Sequence, residues 1–366
     1  MKKYAHNEVT FLQYIFLIHG AQVGVGQLSL PRILAEKGGT DGWIALLIGW
    51  AISLTAGLCL IQAAKRYPQG TLLDLMTHCF GKAVGKLTAV IFAMIYIVGA
   101  AANMVAAALI IKSWILPNTP LYIILLLFAL PSFLIARNGF RILGRYAEFV
   151  FFSSLPVMLF LLIPSLEGNW LYLLPLFKDG WGPILTAVQP TAYSFLGFEV
   201  AFFFYPFLQK KQWAAAGIVI ANTLSLIVFL YITLVCFLYF SPDEITNYNQ
   251  PTINVLKSIE FRFVERLEIV FLSAYLFAIS TTWLPFISCY KYIVGWLLNK
   301  QNDSVYVALF LLSLVAFAFA FDPSFSTNEE WIKRISQAGL VYALALPVCL
   351  AVYIKLRDHV QRRLGR

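Results

Sequence analysis

Residues 19–27 read His19-Gly20-Ala21-Gln22-Val23-Gly24-Val25-Gly26-Gln27, with Pro31-Arg32 one turn further on. The stretch lies in the middle of an apolar run, 10–36, long enough to cross a bilayer. Each glycine inside a helix costs about 1 kcal/mol relative to alanine, so Gly20, Gly24 and Gly26 together favour an unwound turn at mid-depth. A second run, 182–208, carries Ser194-Phe195-Leu196-Gly197-Phe198-Glu199 at its middle, between Pro190 and Pro206. Small residues also serve tight packing between membrane helices, so neither stretch decides anything alone. They matter as a pair, because the rest of the chain makes them the first helices of two halves.

The chain has 366 residues, of which 60% are hydrophobic and 12% charged, against about half and a quarter in soluble domains. That composition makes it an all-α integral membrane protein with no separate soluble domain, and it excludes a disordered chain. The net charge of +9 is spread over short clusters between apolar runs, where it bears on topology, so nucleic acid is not an expected partner. Cys59, Cys79, Cys236, Cys289 and Cys349 form no CxxC pair and read as small core hydrophobes. Gln13 interrupts the apolar stretch after Lys2-Lys3 and no small-residue cleavage site follows, so Met1–Gly20 reads as part of a retained first span.

Ten apolar runs are expected to cross the membrane: 10–36, 42–64, 84–112, 120–136, 146–165, 182–208, 213–240, 267–298, 303–321 and 335–357. An even count puts both termini on one side. Most of the 27 lysines and arginines fall there, among them Lys65, Arg66, Lys82, Arg137, Arg141, Lys210 and Lys211, so both termini are expected to be cytoplasmic. Within one transmembrane domain, 1–366, residues 10–166 and 182–357 are expected to form two five-helix repeats. An odd number of helices per repeat inverts one against the other, the geometry of transporters with a ligand site between discontinuous helices 1 and 6.

Helix ends supply the binding chemistry. Where the first span resumes after Gly26, free N–H groups and the positive end of the helix dipole suit a carboxylate, and the carbonyls ending each first half-helix suit an ammonium group. A zwitterionic amino acid answers both. Glu199 is an acid deep within a span, which is costly unless it is capped, paired or protonated. It could cap the second half of its helix, bind a ligand amine or carry a coupled proton. No basic residue lies deep enough to be its permanent partner.

The segment Val23-Gly24-Val25-Gly26-Gln27-Leu28-Ser29-Leu30-Pro31-Arg32, followed by Gly39-Thr40-Asp41-Gly42-Trp43-Ile44, resembles the first-helix signature of the endospore germination permeases, the membrane-embedded B subunits of nutrient germinant receptors. Phe195-Leu196-Gly197-Phe198-Glu199-Val200 is similar to that family's sixth-helix motif and, more loosely, to that of the amino acid, polyamine and organocation transporter superfamily. Val264-Glu265-Arg266-Leu267-Glu268 is similar to a further family pattern, and the resemblance covers about residues 5–360. It implies a LeuT-like five-plus-five inverted-repeat fold in the spore inner membrane, acting with A and C subunits to sense a nutrient. Carried onto this chain, it places the ligand among Gly24, Val25 and Gly26 of the first span and Phe195, Leu196, Gly197 and Glu199 of the sixth. Gly99, Ala100 and Asn103 of the third span and Thr281 and Thr282 of the eighth would complete the pocket.

The remaining polar residues add less. Ser280-Thr281-Thr282 could offer hydroxyls to a sodium ion, although hydroxyls in membrane helices more often bond the preceding turn. The four histidines are scattered, and no convergent acid, histidine or metal-ligand set exists, so neither an enzyme nor a cofactor is expected. The segments 241–266 and 69–86 read as a solvated outer loop and an amphipathic inner stretch, either of which could dock a subunit. The rival to a receptor subunit is an autonomous proton-coupled amino acid permease.

Overall fold

Thr10 and Gln13 cap each other at the first helix: the Gln13 N–H donates to the Thr10 hydroxyl oxygen and the Thr10 N–H to Gln13 Oε1. From there α1 (Phe11–Gln22) runs until the glycines stop it. A 3₁₀ turn (Val25–Leu28) bridges to α2 (Leu30–Gly38), which starts with Pro31 in its first turn. Gly39, at φ +57°, ends α2 in a conformation that L side chains rarely adopt, and α3 (Gly42–Ala64) turns back alongside it. The Gly39-Thr40-Asp41-Gly42 signature is thereby a docking corner. Asp41 Oδ2 accepts the Phe177 N–H at 2.8 Å and Thr40 Oγ1 donates to the Pro175 carbonyl, which pins the segment leading into the sixth run.

This computed structural model describes residues 7–259, 266–300 and 304–353. Among them the regular elements are helical. After α3 come α4 (Leu72–Phe80), α5 (Lys82–Trp114), α6 (Leu121–Ala136), α7 (Phe140–Leu166), α8 (Trp181–Ser194) and the short α9 (Ala201–Phe204). Then follow α10 (Ala214–Tyr239), α11 (Pro251–Lys257), α12 (Leu267–Leu297), α13 (Val305–Ala320) and α14 (Phe325–Tyr353). Among the described residues six stretches, Leu30–Ala64, Lys82–Trp114, Phe140–Leu166, Lys211–Tyr239, Leu267–Leu297 and Phe325–Tyr353, are long and apolar enough to cross a membrane. α6 and α13 are shorter apolar helices packed against each other. The protein is an all-helical integral membrane protein.

The sixth run is interrupted like the first. α8 ends at Ser194, Gly197 takes φ +118°, and a 3₁₀ turn (Phe198–Val200) leads into α9. The chain before α1 and the chain after α9 then pair as a single parallel bridge, with the Val9 N–H donating to the Phe207 carbonyl and the Gln209 N–H to the Val9 carbonyl. Around the interruptions, α5 lies against α12 and α1 is held by α7, α10 and α12.

Three segments differ from the sequence expectation. The last long helix begins at Phe325, ten positions ahead of the apolar run 335–357, because its polar first turns face a cavity instead of lipid. It also contains a π-helical turn at Val341–Ala345. The segment 241–266 is not simply a solvated loop: Thr252, Ile253, Val255 and Leu256 of α11 are fully buried, and α11 packs over the 3₁₀ turn of the first run. The fifth run starts at Phe140, six residues early. The amphipathic inner stretch is α4, whose Leu72, Leu73, Leu75 and Met76 are buried and whose Asp74 accepts the Trp296 indole N–H. The basic residues at both chain ends and the Val264-Glu265 pair lie outside the described residues.

Candidate functional site

The two interruptions meet. Gln22, the last residue of α1, donates from Nε2 to the Phe195 carbonyl at 2.9 Å and to Asn222 Oδ1 of α10 at 2.9 Å. Its Oε1 accepts from the Ser225 hydroxyl at 2.7 Å, Ser225 Oγ lies 3.0 Å from His19 Nδ1, and Ser53 donates to Asn222 Oδ1. All five side chains are buried. Four helices are thus tied by one saturated polar network, which fixes the register of α1 against α8, α10 and α3.

Two side chains of α12 and its neighbourhood take up the carbonyls released where α1 unwinds. The Thr282 hydroxyl bridges the Gly20 and Val23 carbonyls at 2.9 and 3.3 Å, and the Tyr275 hydroxyl donates to the Gly24 carbonyl at 3.0 Å. Thr281 instead donates to the Ala278 carbonyl of its own helix. The hydroxyls of this segment therefore satisfy protein carbonyls, the bond pattern usual for membrane helices.

Beside the interruptions lies a cavity of about 1120 Å³, whose lining reaches Lys37 at the end of α2, Trp114 at the end of α5 and Phe325 at the start of α14. Its wall includes Gly24, Val25, Gly26 and Gln27 from the first run, Tyr96, Gly99 and Asn103 from α5, Leu196 and Glu199 from the sixth run, and Thr282 and Phe286 from α12. Ala100, Phe195 and Gly197 are not part of this wall. Ala100 and Phe195 are fully buried behind it, Gly197 is pressed against the α1 backbone, and Thr281 lines a separate small crevice with His19. A β-carbon on Gly26 would meet nothing within 4 Å, so this backbone faces open space.

Glu199 caps its own interruption, accepting the Gly197 N–H on Oε2 at 2.7 Å, while its side chain also borders the cavity. Cations among the lining residues, Arg32, Lys37, Lys257 and Lys333, come from segments at the mouth. Arg32 is held by Asn249 at 2.6 Å, Glu36 at 3.5 Å and Glu329 at 3.7 Å, and Lys257 sits 4.5 Å over the Trp114 ring. On the other side, toward the N-terminal face, Phe92, Tyr96, Phe140, Phe203, Phe207 and Tyr292 form a chain of edge-on and tilted ring contacts. Of these rings, Tyr96 lines the cavity.

Several wall residues had no signal in the sequence. Tyr96 and Phe286 look like ordinary members of apolar runs, and Asn328, Glu329 and Ser336 enter only because α14 starts early and lies against the cavity. Among the described residues no group of three or more histidines, cysteines and acids could hold a metal ion.

Residues 8–326 match the family model described as spore germination protein, the spore permeases. The chain is 24% identical to the spore germination protein YndE of Bacillus subtilis (strain 168) over 97% of this chain and 99% of the relative. It is 25% identical to the spore germination protein A2 of the same organism over 95% and 96%. Spore germination protein GerQB of Bacillus cereus is 25% identical over 81% of this chain and 88% of its own length. A family match over most of the length, on an all-helical membrane protein, settles membership: this chain belongs to the spore permease family of spore germination proteins.

Proposed function

We propose that the protein is the nutrient-sensing membrane subunit of a spore germinant receptor and binds a small germinant, an amino acid, between the interruptions of the first and sixth runs. The observation that carries the reading is their meeting at the cavity. On one side stand the open backbone at Val25 and Gly26 and the start of the 3₁₀ turn, whose first internal bond begins only with the Gln27 N–H. On the other stands Glu199, with no cation beside it at that depth among the described lining residues. A carboxylate fits the first and an ammonium group the second.

In this reading the ten runs form two inverted five-helix repeats, 10–166 and 182–357, in the LeuT-like arrangement, with both termini cytoplasmic in the spore inner membrane. The cavity then opens outward, where a nutrient arrives, and A and C subunits complete the receptor. Binding shifts a conformational equilibrium through differential affinity for two states, which is all a sensor requires. Ala100, Phe195, Gly197 and Thr281 act behind the ligand by shaping the wall.

The test is germination of spores lacking this gene across single amino acids, sugars and nucleosides, with the gene restored as wild type. Loss of response to one amino acid, rescued by the wild type, supports the receptor. Unchanged germination, together with proton-dependent uptake of radiolabelled amino acid into vesicles, would replace it with a permease.

A further inference from the structure

Tyr96 Oη and Asn328 Oδ1 line the cavity without a hydrogen-bond partner, but Gln27 is unpaired at both ends of its amide. Its side chain is 2% exposed and lines the cavity, yet neither its amide nitrogen nor its amide oxygen has a hydrogen-bond partner. Buried amides are ordinarily satisfied, because leaving one unpaired forfeits its hydration without replacement. Gln22, five residues earlier, shows the ordinary state: its nitrogen serves two acceptors and its oxygen accepts from Ser225. The neighbouring hydroxyls give no proton to Gln27. Tyr275, next to it, gives its single proton to the Gly24 carbonyl, and Thr282 gives its own to Gly20 and Val23. The Tyr275 oxygen can take at most one amide proton, which leaves the amide oxygen and the second N–H unanswered.

The position adds a second constraint. Gln27 follows Gly26, whose backbone faces open space, and both residues line the same cavity. Arg32, the cation of the same segment, is engaged by Asn249, Glu36 and Glu329. The Gln27 amide therefore stands as a neutral donor beside the open backbone N–H groups of Val25 and Gly26.

We propose that Gln27 is the specificity-determining residue for the head group of an α-amino acid. Nε2 donates to the ligand carboxylate and Oε1 accepts from its ammonium group. The two ligand groups are bonded to one carbon, as are the oxygen and nitrogen of the amide, so one side chain reads both. This rests on the reading that the cavity binds an amino acid, and it adds the discrimination of a free carboxylate from its uncharged derivatives. A second oxygen in place of Nε2 repels the carboxylate but accepts from the –NH2 of a primary amide.

The experiment compares the twenty L-amino acids with their primary amides as germinants for spores expressing wild type, Gln27→Glu or Gln27→Leu in the deletion background, with protein levels followed by immunoblot. Wild type should prefer an acid over its amide. In Gln27→Glu the half-saturating concentration of the acid should rise at least about tenfold while that of the amide holds or falls, reversing the preference. In Gln27→Leu both should rise and the ratio should collapse toward one. An unchanged acid-to-amide ratio in whichever variant accumulates overturns the role of Gln27. A wild type that answers none of the twenty amino acids overturns the amino-acid reading itself, a separate failure visible before any variant is compared.

Discussion

Gly197 is pressed against Ala21: a β-carbon at position 197 would lie 2.5 Å from the Ala21 carbonyl oxygen, and Gly197 itself holds φ +118°. The two helix interruptions are in backbone contact here. Gly197→Ala therefore faces a steric clash and a disfavoured backbone at once, a cost on the order of 1–3 kcal/mol for the backbone alone. We expect a lower thermal unfolding midpoint in detergent together with loss of nutrient response, measured by intrinsic fluorescence and spore germination. A variant with both properties intact would mean that the interruptions do not need this approach.

Gly26 offers the opposite situation, because nothing lies within 4 Å of its would-be β-carbon. Gly26→Leu should insert and accumulate normally while its side chain occupies the space assigned to the ligand carboxylate. The expected outcome is loss of the nutrient response at unchanged protein level. Normal sensitivity in germination assays would remove the first-run site.

Glu199→Gln separates cap from charge. A glutamine oxygen can still accept the Gly197 N–H that Glu199 now receives at 2.7 Å, so the interruption should persist. What disappears is the negative charge facing the cavity. We expect the half-saturating nutrient concentration to rise, read from germination curves. An unchanged curve would reduce Glu199 to a cap.

Thr282→Val removes the hydroxyl shared by the Gly20 and Val23 carbonyls and leaves buried acceptors unpaired, at a cost of about 1–3 kcal/mol. Thr282→Ser keeps the hydroxyl and should lie close to wild type. Thermal unfolding of the purified pair in detergent measures the difference. Equal midpoints would show that these carbonyls find other partners.

Much of this was legible in the chain itself. Glycines at 20, 24 and 26 weaken a helix wherever it lies, so the interruption at Val23–Ser29 follows from backbone entropy and local propensity. The Ser194–Glu199 segment signals in the same way, through a glycine that weakens the helix and an acid at a depth where lipid does not tolerate one without a structural reason. The family signature Gly39-Thr40-Asp41-Gly42 was readable as a motif, but its work was not. Only the fold reveals that Asp41 pins Phe177, across a separation of more than a hundred residues.

Sequence by itself determined the class, the approximate apolar runs and the two interruptions, because hydrophobicity and glycine content act locally and the bilayer fixes the length they must span. Tertiary structure decided which polar side chains are satisfied and which face the cavity. Gln22 and Gln27 are the same residue type five positions apart in one quoted stretch, yet one is saturated by Phe195, Asn222 and Ser225 and the other lines the cavity unpaired. The partners of the first come from the residue that follows α8 and from α10, and the cavity beside the second is walled in part by α5, α12 and α14. Such differences depend on contacts between distant segments, which no local pattern encodes.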